Sequence, residues 1–411
     1  MIPIPEKRIS DFEKMGFGMF AHWGLYSQLG AGEWTYHIHK REMSEYEKLK
    51  DTFTAEDFNA EEFVLTAKNA GCKYITLTTR HHEGFSLYDT KGLCDFDAPH
   101  SAAKRDLIRE FVDACNKYEI VPFFYHTTLD WYNKDFDGDF DKYLEYLRKS
   151  VEILCTNYGK IGGLWFDGNW SKADADWKED ELYATIRKHQ PDAIIVNNTG
   201  LDARGCLGNP EIDSVTFEQG RPEPMQRDGM SKYIAAEMCY TLNDHWGIGE
   251  NDFNYKSPAQ LIETLCACRK VGANLLLNIG PTAQGGIEPI QKALMEVLGK
   301  WMKLYGEAIY EGKPHSATCS NEKNFVLKSD DSLYFFIHSL GIGGDSHVTV
   351  GQDCDSDFIF DGVSEKIASV EWMDNGESLE FTQKDGKFSL YATNYPYGTS
   401  TCVRVAKAKI K

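Results

Sequence analysis

The chain has 411 residues, 42% hydrophobic and 13% aromatic, the make-up of well-packed globular units and not of a disordered chain. Sixty-three acidic against 44 basic residues give a net charge of −19, which disfavours nucleic acid and anionic membrane as partners and suits a neutral substrate. The eleven cysteines form no CxxC pair and read as reduced core residues, and no stretch approaches the ~20 apolar residues of a membrane span. The N-terminus, "MIPIPEKRISDFEK", lacks the apolar core of a secretory signal. The expectation is therefore a cytoplasmic protein, secreted or periplasmic only if a leader has been removed.

Short β-branched or aromatic runs then alternate with amphipathic stretches, the pattern of a parallel sheet with helical crossovers. Eight strands are expected: "FGMFAH" (17–22), "YITLTTR" (74–80), "VPFFYH" (121–126), "GGLWFDG" (162–168), "AIIVNN" (193–198), "SVTFEQ" (214–219), "AAEMCYTL" (235–242) and "NLLLNIG" (274–280). Helices are expected at "AEEFVLTAKNAG", "RDLIREFVDACNKY", "FDKYLEYLRKSVEILCTNYG", "DELYATIRKHQ" and "PAQLIETLCACRKVG", each with apolar residues at i, i+3, i+4 and i+7. The count predicts an α/β fold, a (β/α)8 (TIM-like) barrel. The short spacing between strands five, six and seven makes that side irregular. After the long helix "IEPIQKALMEVLGKWMKLYGEAIY" the texture changes. From residue 316 alternating runs such as "NFVLKSDDSLYFFIHSL" are broken by tight-turn dipeptides, the signature of an antiparallel β-sandwich. The expected division is a catalytic barrel over 1–315 and an accessory sandwich over 316–411.

In such a barrel the chemistry comes from the C-terminal strand ends. These ends supply His22 and Trp23, then Arg80, His81, His82 and Glu83. Strand three adds Tyr125 and His126, with Asp130 and Trp131 beyond. Strand four ends in Asp167, strand six in Glu218, and Trp246 follows strand seven. The first loop contributes Glu33 and Trp34. Indoles beside imidazoles and carboxylates suit a sugar, whose C–H face packs on an aromatic ring while its hydroxyls hydrogen-bond in plane. Glycosidic cleavage commonly needs two carboxyl groups, one holding a proton at neutral pH. Asp167 and a glutamate from a later strand can divide those roles. Each residue has a plainer reading too: a helix cap for Asp167, core packing for the tryptophans, surface charge for Glu33, Glu83 and Glu211. Rival functions are a metal-dependent hydrolase using His22, His81, His82 and His126, a chitinase-type hydrolase and a non-catalytic carbohydrate-binding barrel. The adjacent His81–His82 pair fits a metal site poorly.

Longer motifs narrow the choice. "FGMFAHWGLYS" with "GEW" at 32–34, "YITLTTRHHEGFSLYDT", "GLWFDGNW", "EMCYTLNDHWGIGENDFNYKSPAQLI" and "NLLLNIGPTAQGGI" resemble, in order, the motifs of the α-L-fucosidases, a family of retaining glycoside hydrolases. The resemblance covers residues 10–310 and implies a (β/α) barrel with a C-terminal β-sandwich. It implies exo-acting removal of terminal α-L-fucose with no cofactor and no metal. A fucosylated small molecule or oligosaccharide would be the partner, and an oligomer is allowed. A related hydrolase for another α-linked sugar, such as a galactoside, is the alternative. By the same resemblance Asp167 is the nucleophile. His22, Glu33, Trp34, His81, His82 and Tyr125 bind sugar hydroxyls, while Trp246, Phe20 and Trp165 hold the apolar face. For the acid/base, Glu218 comes first, Glu237 second and Glu211 third, with ~5–5.5 Å expected between the carboxyl groups of a retaining pair. Relatives commonly carry arginine shortly after strand five. This chain has Thr199 in "VNNTG", leaving Asn197, Asn198 or Arg204 to stand in and linkage preference open.

Overall fold

The computed structural model describes residues 1–345, 347–349 and 356–411. Eight parallel strands close into a barrel in chain order: β1 (Phe17–Ala21), β2 (Tyr74–Arg80), β3 (Val121–Thr127), β4 (Gly163–Asp167), β5 (Ile194–Asn198), β6 (Ser214–Thr216), β7 (Ala235–Thr241) and β8 (Asn274–Ile279). β1 pairs with both β2 and β8, which leaves no open edge. The helices are α1 (Lys7–Met15), α2 (Thr35–Ile38), α3 (Met43–Tyr46), α4 (Ala60–Ala70), α5 (Leu107–Tyr118), α6 (Phe140–Asn157), α7 (Glu179–His189), α8 (Pro258–Lys270) and α9 (Pro289–Glu311). Their starts are written locally. Asn59, Asp106 and Asp139 each accept a hydrogen bond from the backbone three residues on, and Ser257 with Gln260 forms a capping box.

The expected irregular side is present. Between β5 and β6 stands a single 3-10 turn, Leu201–Ala203, and no helix separates β6 from β7. α1 was not anticipated. Its Ile9 and Phe12 are buried at the base of the barrel interior, with Phe12 edge-on to Tyr74 at 5.5 Å. Above them the interior column continues through Phe123, Tyr125, Trp165 and Phe20 to the strand ends. A hydrophobic stack of this kind makes the barrel a packed core whose upper aromatic layer is the floor of whatever lies in the mouth.

The chain forms two compact units, Met1–Lys256 with Asn274–Glu296, and Ser257–Ala273 with Val297–Lys411. The expected division at residue 316 falls inside the second unit. That unit contains α8, the part of α9 from Val297 onward and two antiparallel sheets. One has the order β10 (Thr318–Cys319), β13 (Ser356–Asp361), β16 (Lys387–Ala392), β15 (Phe381–Lys384). The other runs β14 (Ile367–Trp372), β17 (Val403–Ile410), β12 (Ser332–His338), β11 (Phe325–Lys328), β9 (Lys313–Pro314). Phe335, Phe360, Trp372, Phe388 and Leu390 share its buried core, as in a β-sandwich. Among the described residues no helix is long and apolar enough to cross a membrane.

Candidate active site

Asp167 is the last residue of β4. Gly168 follows it at φ 122°, a conformation that L side chains rarely adopt, and a Cβ there would sit 2.5 Å from the Leu129 backbone nitrogen. The sharp turn, with the Asp167 carbonyl held by Thr128 N–H at 2.7 Å, leaves the carboxylate at the barrel mouth and not on a helix end. The capping reading of Asp167 is thereby corrected. Its oxygens accept from Tyr125 (3.0 Å), Trp170 Nε1 (2.9 Å) and Asn198 Nδ2 (3.2 Å), and His82 Nε2 stands 3.5 Å away.

Glu218 faces it from the loop after β6. The same Asn198 nitrogen donates to Glu218 Oε2 at 2.8 Å. The sum of the two bonds, 6.0 Å, is the upper bound on the separation of Asp167 Oδ1 and Glu218 Oε2. With N–H bonds ~120° apart the separation is about 5 Å. Burial, with the Asp167 charge adding to it, pushes the Glu218 carboxyl up to about 7, against the Asn198 bond and Arg204.

The remaining walls come from other strand ends. His22 Nδ1 lies 2.7 Å from Asn278 Oδ1, and the Asn278 amide is itself committed to the Trp246 carbonyl at 2.7 Å. His22 therefore carries its proton on Nδ1 and offers a lone pair on Nε2. His82 is fixed alike: Thr127 gives its hydroxyl proton to the Leu129 carbonyl and accepts from His82 Nδ1 at 2.7 Å. Burial lowers His22 to about 3 and His82 to about 4, and lowers His81 as well, so all three rings are neutral acceptors or donors at ordinary pH. His81 stacks on Tyr125 at 5.5 Å, and Tyr125 on Trp165 at 5.6 Å. Glu33 is buried, one oxygen held by the backbone N–H groups of Trp246 (3.2 Å) and Gly247 (2.8 Å). Burial raises its proton affinity, and those N–H groups oppose it. Phe20 and Trp246 meet edge-to-face at 5.9 Å, and Trp34 stacks on Trp170 at 6.0 Å.

These side chains enclose a cavity of about 720 Å³. It brings together Asp167, Glu218, Glu33, His22, His81 and His82, and walls them with Phe20, Trp34, Tyr125, Trp165 and Trp246. Glu237 is not in that wall. It is 1% exposed and lies beneath the floor, accepting from Tyr74 and from Trp165 Nε1 (2.9 Å), with burial pushing it to about 7. Glu211 is exposed and pairs with Arg187. His126 is buried between Thr79 and Ser150, so it does not share the mouth. Arg80 and Asp130 are a buried pair 3.9 Å apart, also outside the cavity. Of the candidates to replace the missing arginine, Asn198 and Arg204 line the cavity alongside Thr199, while Asn197 turns away to Glu179 and Tyr183. Trp170 was missed as a ligand of Asp167, although its place three residues on, in a turn, was a usable signal. Among the described residues no cluster of three or more His, Cys, Asp or Glu is arranged to hold a metal ion.

A (β/α)8 barrel that opposes two carboxyl groups across an aromatic-walled mouth has the make-up of a glycoside hydrolase. The family model for α-L-fucosidase matches residues 5–307, and the chain belongs to that family. Bovine tissue α-L-fucosidase is 28% identical over 349 residues, which cover 78% of this chain and 72% of that one. α-L-Fucosidase isoenzyme 1 from Paenibacillus thiaminolyticus superposes with a TM-score of 0.83 at 27% identity, covering 98% of this chain and 99% of that one. Thermotoga maritima α-fucosidase, solved in complex with fucose, gives 0.75 at 25% identity over 97% and 96%.

Proposed function

We propose that the protein releases terminal α-L-fucose by a retaining double displacement, with Asp167 as nucleophile and Glu218 as acid/base. The observation that carries this reading is the pair of carboxyl groups tied to one amide nitrogen, at 3.2 and 2.8 Å. A separation of ~5–5.5 Å is that of retaining enzymes, whereas inverting ones leave room for a water between their carboxyl groups. Asp167 attacks the anomeric carbon as the glycosidic C–O bond breaks, and Glu218 gives its proton to the departing oxygen. The leaving alcohol diffuses out. Glu218, now ionised, takes a proton from water, whose oxygen attacks the same carbon and frees Asp167, so the product keeps the α configuration. Three donors, Tyr125, Trp170 and Asn198, fix the Asp167 carboxylate in place, while the raised proton affinity of Glu218 keeps the acid loaded near neutral pH.

The neutral His22 and His82, with Glu33, offer fixed acceptors to sugar hydroxyls. Phe20 and Trp246 supply an apolar wall for the C5 methyl group that distinguishes fucose from a galactoside, and the relative solved with fucose supports that sugar as the ligand. The test is Asp167→Ala on an aryl α-L-fucoside. Turnover should vanish while fucose binding and folding persist, and the first anomer formed by the unmodified enzyme should be α. A folded variant with undiminished turnover, or a β first product, overturns the proposal.

A further inference from the structure

Asp167 and Glu218 stand on different strands, and among the described residues Asn198 is the one side chain hydrogen-bonded to both. It ends β5, between β4 and β6 in the barrel, and is 3% exposed. Its amide cannot rotate freely: Oδ1 accepts from the Thr216 hydroxyl at 2.7 Å and from Gly200 N–H at 3.3 Å. With the oxygen so committed, the two amide hydrogens point one to each carboxyl group, which is the full donor capacity of an asparagine. An aspartate in the same place has at most one hydrogen to give.

We infer that Asn198 is a positioning residue that holds the nucleophile and the acid/base at their working separation and, by donating to the ionised form of each, lets Glu218 release its proton at the right stage. The inference rests on the roles proposed above. It extends them, because the acid/base must be protonated for the first displacement and ionised for the second. The groups facing Glu218 are Asp167 from β4 and Glu33 from the first loop, which raise its proton affinity, and Arg204 and Asn198, which lower it. Cys239 of β7 is close enough to feel the Glu218 charge. Asp167 is faced by His82, Tyr125 and Trp170. Without the Asn198 donor, Glu218 retains its proton to higher pH and serves less well as a base.

Three variants test this: Asn198→Ala, Asn198→Asp and Thr216→Val, the last removing only the hydroxyl that orients the amide. Melting curves and inhibition by fucose verify folding and binding. Losing a hydrogen bond to a charged group predicts a fall in kcat of about 10- to 100-fold for the two Asn198 variants and a smaller fall for Thr216→Val. In Asn198→Ala and Thr216→Val the alkaline limb of kcat/KM should move to higher pH, by about one unit in the former. Limbs that stay at the wild-type position overturn the inference, whether or not turnover falls, since a merely structural role lowers rate without moving them. If the Asn198 variants fail to fold, Thr216→Val decides alone. A wild-type protein that releases no fucose would instead overturn the proposed function.

Discussion

Replacing Glu237 with glutamine removes the charge that can form beneath the cavity floor while keeping the shape of the side chain. The carboxyl accepts from Tyr74 and Trp165, and burial pushes it from 4.5 to about 7. A carboxyl with raised proton affinity in the folded state contributes its full stability below its unfolded pKa of 4.5, and that contribution is lost as pH rises through about 7. At about 1.4 kcal/mol for each tenfold difference in proton affinity, the loss is about 3 kcal/mol. Glutamine has no such loss: its oxygen can take the Trp165 N–H, and its amide can donate to the Tyr74 hydroxyl. The stability of the variant relative to wild type should therefore rise by about 3 kcal/mol across that window, roughly 6–12 °C in midpoint. Thermal melts of both proteins at a series of pH values read this directly. Fucoside hydrolysis by the variant should stay within about tenfold of wild type, because Glu237 does not reach the cavity. Parallel melting curves at every pH would refute the electrostatic reasoning. A folded variant as crippled as Glu218→Ala would return Glu237 to the acid/base role.

Three further outcomes are expected. The kcat/KM profile should fall on its alkaline side near pH 7, where Glu218 gives up its proton, and Glu218→Ala should harm poor leaving groups more than good ones, with azide restoring part of the rate. Trp170→Phe keeps the ring but deletes the N–H that holds Asp167 at 2.9 Å, and should lower kcat about tenfold in steady-state assays without unfolding the protein. Gly168→Ala places a Cβ against the Leu129 backbone at a φ of 122°, so a loss of about 1–3 kcal/mol in denaturant titrations should accompany a displaced Asp167 and reduced turnover.

The barrel strands were legible because each is a short apolar run bounded by turn residues, and the match of "YITLTTR" to β2 is residue for residue. α1 escaped notice: as a nine-residue helix it shows too few turns for its period to stand out, and its Ile9 and Phe12 acquire meaning only once the barrel base is there to receive them. In the site, inward orientation was readable but depth was not. Ala235, Glu237 and Cys239 alternate toward the interior of β7, yet Glu237 pairs in register with Thr216 and Asn274, well below the rim. Glu218, two residues past the end of β6, clears it. Both glutamates sit within strand-like runs of the sequence, "SVTFEQ" and "AAEMCYTL", and only the three-dimensional register separates the one under the floor from the one above it. Asn198 was noticed as a stand-in for an absent arginine. Its bond to both carboxyl groups depends on which neighbours flank β5, a property of the closed sheet and not of the local string. His126 looked equivalent to His82 for the same reason, although one faces the mouth and the other packs outside the barrel wall on Ser150.

The helix-free side between β5 and β7 makes the two halves of the site unequal in how they can change over evolutionary time. Asp167 ends a strand followed by α7, and displacing it would mean repacking a whole layer. Glu218, Thr199 and Arg204 hang from loops with no helix to rebuild, so insertions and exchanges there carry little structural penalty. New glycan preferences can be tried on that flank while the grip on the terminal sugar is handed down intact.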